Sequence, residues 1–217
     1  MKAIARKSLY LVTDSGMTGG RPLVDIVAAA VRGGVGVVQL REKALPTRAF
    51  IDLARQVSKI LSGTGVPLLI NDRVDVALAA DADGVHLGQS DMHYRDARRL
   101  LGPKAIIGLS VESMEEVLDA ENFDVDYLGV SPIFSTPTKT DTIIEWGLDG
   151  LRHVRAASRH FLVAIGRMTA ANALDALAAG ADSVAVVSAI CAARDPESAA
   201  YEIYQALQAF PGERSTI

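Results

Sequence analysis

Short β-branched runs alternate with Ala-rich amphipathic runs along the whole chain. The apolar runs predict strands at Leu9–Thr13, Val37–Leu40, Leu68–Asn71, Gly84–Leu87, Ile106–Ser110, Tyr127–Val130, Leu162–Ile165 and Val184–Val187. Between them the spacing predicts helices over Leu23–Arg32, Thr47–Leu61, Val74–Ala80, Tyr94–Leu101, Met114–Ala120, Leu148–Ser158 and Ala170–Ala179, with a last one over Pro196–Ala209. Leu23, Ile26, Val27, Ala30 and Val31 form the i, i+3, i+4, i+7, i+8 stripe of a packed helix. Gly33-Gly34, Gly102-Pro103 and Gly180 fall where helices should stop. The strands are apolar on both faces, as strands of a buried parallel sheet are. A strand–helix repeat counted eight times is better explained by closure than by an open sheet. The expected fold is a single-domain (β/α)₈ TIM barrel over residues 1–217, with its core at about 8–209 and a tail at 210–217. The phrase Ala179-Gly-Ala-Asp182 echoes Ala80-Asp-Ala-Asp-Gly84, a faint internal repeat at the entrance to two strands.

Composition narrows the function. The 217 residues are 49% hydrophobic and 22% charged, enough for a large core, and carry a net charge of −4. That balance gives no support to a nucleic-acid partner bound through phosphate neutralisation. No apolar run approaches the ~20 residues needed to span a bilayer. The basic start Met1–Lys7 is followed by a short apolar run, Ser8–Thr13, too brief for a signal peptide, so a cytoplasmic location is expected. The lone Cys191 excludes an intrachain disulfide. A homo-oligomer is compatible with everything so far.

In a barrel the chemistry collects at the C-terminal ends of the strands, and there the chain turns polar. Gln39-Leu40-Arg41-Glu42-Lys43, Asn71-Asp72, Gly88-Gln89-Ser90-Asp91, Ser110, Ser131–Lys139, Gly166-Arg167 and Val187-Ser188 all follow or end strands. The opposite ends, with Gly34, Pro67, Pro103, His160 and Asp182, read as plainer. Gln39, Arg41 and Lys43 alternate and would share a face if the strand continued, offering an amide and two cations to an oligophosphate. The competing reading is a solvated loop in which Glu42 pairs locally. Asp72 and Asp91, from consecutive strand ends, suit Mg²⁺, which takes few carboxylates together with water and substrate oxygens; as helix caps before Val74 and Tyr94 they would serve structure alone. Four histidines and one cysteine without H-x-x-x-H or C-x-x-C spacing argue against zinc. The long break from Ser131 to Trp146 carries hydroxyls, Pro137 and Lys139, as a lid over phosphates would. Gly166-Arg167 and Val187-Ser188 occupy the last two βα loops, where many barrels bind phosphate. His86 reads as a satisfied core residue, His93, His153 and His160 as surface, and Cys191 as an inert apolar residue. No Ser/His/Asp spacing, G-x-S-x-G or Walker sequence is present.

Taken in order, Leu9–Asp14, Gln39–Lys43, Ile70-Asn-Asp-Arg73, Gly84–Gln89 with Asp91, Gly108–Ser110, Gly129–Lys139, Val163–Gly166 and Ser188–Ile190 resemble the thiamine phosphate synthase family. The resemblance implies a Mg²⁺-dependent transferase that condenses hydroxymethylpyrimidine pyrophosphate with hydroxyethylthiazole phosphate and releases pyrophosphate. It implies that Gln39, Leu40, Arg41, Glu42, Lys43, Asn71, Ser110 and Lys139 hold the pyrimidine pyrophosphate, with Arg41, Lys43, Ser110 and Lys139 acting on the reaction. It further implies that Asp72 and Asp91 hold Mg²⁺, and that Thr136, Pro137, Thr138, Gly166, Arg167, Val187 and Ser188 hold the thiazole phosphate. One departure stands out: the family pattern has Gly-Gly where this chain has Gly166-Arg167, and an arginine is strained there if the position needs φ > 0. A thiazole tautomerase-like paralogue would need neither the carboxylate pair nor the cations. A non-catalytic phosphate-binding protein would need no Asp72, Asp91 or Lys139.

Overall fold

The computed structural model describes residues 4–135 and 145–211. Eight parallel strands close on themselves in sequence order. They are β1 (Leu9–Val12), β2 (Val35–Leu40), β3 (Leu68–Asn71), β4 (Gly84–Leu87), β5 (Ile106–Val111), β6 (Tyr127–Val130), β7 (Phe161–Ile165) and β8 (Ser183–Val186). The ring is sealed where Leu9 of β1 pairs with both Val35 of β2 and Val184 of β8. Around it lie α1 (Leu23–Arg32), α2 (Thr47–Leu61), α3 (Val74–Ala80), α4 (Tyr94–Leu101), α5 (Met114–Ala120), α6 (Gly147–Ala157), α7 (Ala170–Ala179), a short α8 (Ser188–Cys191) and α9 (Pro196–Gln208). The expected barrel is the observed one. Among the described residues no helix is long and apolar enough to cross a membrane.

Differences from the sequence expectation are local. β2 begins at Val35 rather than Val37 and still ends at Leu40, so Arg41 and Lys43 lie beyond the strand. A 3₁₀ turn at Ser15–Met17 and helix α8 lie in stretches for which no element was expected, because both span only about one turn, too little to show a helical period. Neither Asp72 nor Asp91 is a helix cap, the alternative to the metal reading. The N-caps of α3 and α4 are Arg73 and His93, and the His93 side chain accepts from the Arg95 N–H.

Two apolar layers explain why the strands are apolar on both faces. Leu9, Leu11, Val38, Leu40 and Ile70 point outward into the layer beneath the helices. Tyr10, Val12, Val37, Leu69, Tyr127 and Val163 point inward and fill the barrel. The inner filling needs space from its neighbours. A Cβ on Gly108 would lie 2.0 Å from the Tyr127 ring, so only glycine at 108 admits that tyrosine to the barrel interior. The interior is thus packed to within reach of the strand C-termini, and the open end above it is where a ligand can enter.

Candidate active site

A cavity of about 690 Å³ opens over the C-terminal ends of the strands. Gln39, Arg41, Lys43, Asn71, Asp72, Asp91, Ser110, Gly166, Arg167, Val187 and Ser188 all line it. Leu40 is fully buried in the outer core, and neither it nor Glu42 is among the lining residues. Glu42 instead accepts a hydrogen bond from the Ser15 hydroxyl of the 3₁₀ turn after β1, a partner distant in sequence rather than a neighbour in its own loop. Thr136, Pro137, Thr138 and Lys139 lie outside the described residues.

On the β1–β2 side, Thr13 and Asp14 set the position of Arg41. The Arg41 backbone N–H donates to Thr13 Oγ1 at 3.0 Å, and its guanidinium donates to Asp14 Oδ2 at 3.0 Å. The other oxygen of Asp14 accepts from the Gly16 N–H that opens the 3₁₀ turn. Two residues on, Lys43 Nζ lies 2.6 Å from Asp72 Oδ2. Arg41 and Lys43 therefore converge on the cavity from a loop, held there by carboxylates rather than by strand pleat.

Asp72 occupies an unusual backbone position. The Arg73 N–H donates to the Asn71 carbonyl at 2.8 Å, an i to i+2 bond, and Asp72 between them has φ +62°. That is the rarer and more strained form of the γ-turn. The Asp72 N–H is tied at 2.8 Å to the carbonyl of His86 on β4, which fixes the turn against its neighbour. Asp91 accepts from the Gly88 N–H at 2.7 Å. The two carboxyl groups are neighbours whose charges act on each other. Burial raises the Asp91 carboxyl above the ordinary carboxylate range and proximity to Asp72 adds to it, while the Gly88 N–H and Lys43 oppose the rise. Among the described residues no cluster of three or more His, Cys, Asp or Glu is poised for a metal; the carboxylates stand as a pair.

On the opposite wall, Gly166 has φ +117°, and a Cβ there would meet Ile133 N at 2.8 Å and Pro132 Cα at 2.9 Å, so glycine is required. Arg167 follows with φ +53°. Its side chain is exposed at the rim. Left-handed backbone in a β-unbranched, non-glycine residue costs about 1–2 kcal/mol. The position where the resemblance implies a second glycine therefore uses φ > 0. The segment that leaves β6 is pinned at both stems: the Ile133 N–H donates to the Ile165 carbonyl at 2.8 Å, and the Trp146 N–H to the Pro132 carbonyl at 3.0 Å.

Three residues of the cavity floor were not anticipated as functional. His86 lies within β4 and its hydrogen bonds are satisfied, as expected, yet it lines the cavity. Its Nδ1 is 2.8 Å from the Tyr127 hydroxyl and its Nε2 is 2.9 Å from Ser110 Oγ. Tyr10 and Tyr127 complete the floor, their hydroxyls 2.7 Å apart. The sequence signal that could have located them is Gly108, whose missing side chain marks room for a large inward neighbour. Gln89 also lines the cavity and donates to the Ser110 carbonyl at 2.6 Å. Cys191 is buried, and burial pushes its thiol up to about 11, which makes it a poor nucleophile at neutral pH.

Comparison with known proteins agrees with this arrangement. Residues 9–190 match the family model described as thiamine monophosphate synthase. The chain is 59% identical over 201 residues to the thiamine-phosphate synthase of Albidiferax ferrireducens, covering 93% of this chain and 92% of that one. It is 51% identical to the thiamine-phosphate synthase of Vibrio campbellii, covering 88% and 93%. The solved structure of thiamine phosphate pyrophosphorylase from Pyrococcus furiosus superposes with a TM-score of 0.87 at 37% identity, covering 95% of this chain and 98% of that one. With its closed barrel, its strand-end cavity and its relatives all in accord, the chain belongs to the thiamine monophosphate synthase family of transferases.

Proposed function

We propose that the cavity joins hydroxymethylpyrimidine pyrophosphate to hydroxyethylthiazole phosphate, giving thiamine phosphate and pyrophosphate. The observation that carries this reading is the Asp72–Asp91 pair standing beside Lys43 and Arg41 in a single cavity of a chain of this family. In the reaction, the bond between the pyrimidine methylene carbon and the pyrophosphate oxygen breaks, and pyrophosphate leaves with the electron pair. The benzyl-like cation is captured by the thiazole nitrogen, whose lone pair forms the new C–N bond. No protein nucleophile takes part.

Arg41 and Lys43 supply fixed positive charge where the leaving group gathers negative charge, the use of charge that lowers a barrier most. Lys139 adds a third cation. On ligand entry the pyrophosphate exchanges places with Asp14 and Asp72 as the partner of these cations. The paired carboxylates fit a divalent cation: two neighbouring carboxyl groups that line one cavity, one of them raised by burial and by its neighbour, are a pair that a cation relieves. Mg²⁺ held by Asp72 and Asp91 would supply Lewis-acid stabilisation to the leaving pyrophosphate. Gly166, Arg167, Val187 and Ser188 receive the thiazole phosphate on the far wall, together with Thr136–Thr138. The reaction has to exclude water, since water would trap the cation as readily as the thiazole does.

A thiazole tautomerase-like activity has no use for the carboxylate pair or for Arg41 and Lys43. The purified chain, given both substrates with Mg²⁺, is expected to form thiamine phosphate and pyrophosphate in equal amounts, each dependent on both substrates. Conversion of a thiazole phosphate isomer with no pyrophosphate release would overturn the proposal.

A further inference from the structure

Five side chains from five strands meet under the cavity in one string of hydrogen bonds. Gln39 Nε2 on β2 lies 2.7 Å from the Tyr10 hydroxyl on β1. Tyr10 lies 2.7 Å from the Tyr127 hydroxyl on β6, and Tyr127 2.8 Å from His86 Nδ1 on β4. His86 Nε2 then lies 2.9 Å from Ser110 Oγ on β5. The Tyr127 ring stacks on the His86 imidazole with centroids 5.5 Å apart, which holds the middle of the string in place. Burial raises both phenols above their ordinary range, so both hydroxyls keep their protons.

Such a string has a direction. An amide nitrogen only donates, and each phenol has a single proton to give. Gln39 donates to Tyr10, Tyr10 passes its proton toward Tyr127, and Tyr127 toward His86 Nδ1. His86 Nδ1 is then an acceptor, its proton sits on Nε2, and Nε2 donates to Ser110 Oγ. The Ser110 hydroxyl proton is left for the cavity. Turning the amide so that Oε1 faces Tyr10 reverses every link. His86 then carries its proton on Nδ1, and Ser110 gives its own proton to Nε2, presenting only lone pairs to a ligand.

We propose that Gln39 is a positioning residue that, through Tyr10, Tyr127 and His86, sets whether Ser110 faces the cavity as a hydrogen-bond donor. The string links recognition at one wall to electrostatics at another. With Nε2 committed to Tyr10, Gln39 Oε1 accepts from an N–H of a ligand ring, and the same amide orientation readies Ser110 to donate to an anionic oxygen. A ring without that donor does not favour the donating state, so the string discriminates among ligands at an atom it does not touch. This use of Ser110 rests on the proposed reading of the cavity as a pyrophosphate site; the direction of the string does not.

The test reads the tautomer of His86 in ligand-free protein by long-range ¹⁵N–¹H correlation in histidine-labelled samples, so it stands or falls independently of any activity. The unaltered chain is expected to show His86 protonated on Nε2. Gln39→Glu replaces the donor by a pure acceptor, two tyrosines away from His86, and is expected to move the proton to Nδ1. In a Tyr127→Phe background the same substitution is expected to leave the His86 signal as it is in Tyr127→Phe alone. An Nδ1 proton in the unaltered chain, an unchanged or doubly protonated His86 in Gln39→Glu, or a switch that persists without the Tyr127 hydroxyl would each overturn the proposal. Should Gln39→Glu fail to fold, Tyr10→Phe removes the second link without adding charge. It is expected to leave His86 as a mixture of both tautomers, and a pure Nε2–H signal there overturns the proposal as well.

Discussion

At one end of the barrel Asp83, Asp126 and Asp182 stand immediately before β4, β6 and β8; at the other, Asp72 and Asp91 follow β3 and β4. The first three repeat one device. Each carboxylate accepts from a backbone N–H of the preceding strand, from Leu68, Ile107 and Leu162 at 2.8, 2.8 and 2.9 Å. Each backbone N–H returns a bond to the carbonyl of that same residue. Arginines close two of the pairs, Arg98 on Asp126 at 2.8 Å and Arg155 on Asp182 at 3.1 Å. This end is not plainer than the other, as the sequence suggested; its charges are matched to backbone groups that a ligand cannot displace. At the cavity end Asp72 pairs with the half-exposed ammonium of Lys43 and stands against Asp91. Those partners are a solvent-exposed cation and a like charge, and a ligand can replace the first and relieve the second. Asp91 also accepts from the Gly88 N–H, yet each cavity carboxylate keeps a charged neighbour that a ligand can exchange or relieve, and that is what separates a binding carboxylate from a structural one.

The sharpest way to break this contrast is at the carboxylate pair. Asp72→Asn with Asp91→Asn keeps size and, at position 72, keeps a residue that tolerates left-handed backbone. Mg²⁺-dependent turnover is expected to fall at least ~10³-fold, about 4 kcal/mol in barrier, with the thermal midpoint nearly unmoved. Loss of the folded state with turnover would place these residues with the structural aspartates. At the other end, Asp182→Ala strands the buried Leu162 N–H and takes one partner from Arg155, which keeps the carbonyls of Ser158 and His160, and is expected to cost about 3 kcal/mol. That corresponds to a fall in Tm of roughly 6–12 °C, read by calorimetry; a shift under a degree would show that the device contributes little.

Lys139 extends the contrast to the segment between the pinned stems. A cation that meets the leaving group as charge develops contributes to the transition state more than to the ground state. Lys139→Ala is expected to lower kcat about 100-fold, near 2.7 kcal/mol, and a change confined to KM would remove that role. Arg167 gives the smallest effect. Arg167→Gly relieves the left-handed backbone and is expected to stabilise by roughly 0.5–1 kcal/mol after the entropy of glycine in the unfolded chain is subtracted. The KM for thiazole phosphate should fall about threefold as the rim clears, a difference below ~1 kcal/mol, with the pyrimidine pyrophosphate KM unmoved. A rise in the thiazole phosphate KM would make the guanidinium a phosphate ligand.

Much of this was legible in the chain. Strand and helix alternation predicted the barrel, and polar residues at strand ends led to Gln39, Arg41, Lys43, Asn71, Asp72, Asp91 and Ser110, which the fold brings to one cavity. Which face of each strand looks inward was not legible, because strands apolar on both faces carry no period-2 signal. That is why Tyr10 and Tyr127 passed simply as residues of apolar strands and His86 as a satisfied core residue. The shared use of Asp83 and Asp182 was visible only as an echo of short phrases, and that of Asp126 not at all, since the bonds that give it meaning run between strands rather than along the chain. The γ-turn at Asp72 was equally hidden: the same residue before a predicted helix reads as a cap, and only its φ of +62° and the Asn71–Arg73 bond show otherwise.

One measurement confronts the two ends directly: the initial rate of thiamine phosphate formation per folded molecule, at saturating substrates and Mg²⁺ and well below every midpoint, for the unaltered chain, Asp91→Asn and Asp182→Ala. Asp182→Ala is expected to work at close to the full rate despite its lower stability, and Asp91→Asn to lose turnover at close to full stability. Equal loss in both, or a loss in Asp182→Ala alone, would contradict the division of the barrel into a structural end and a reactive one.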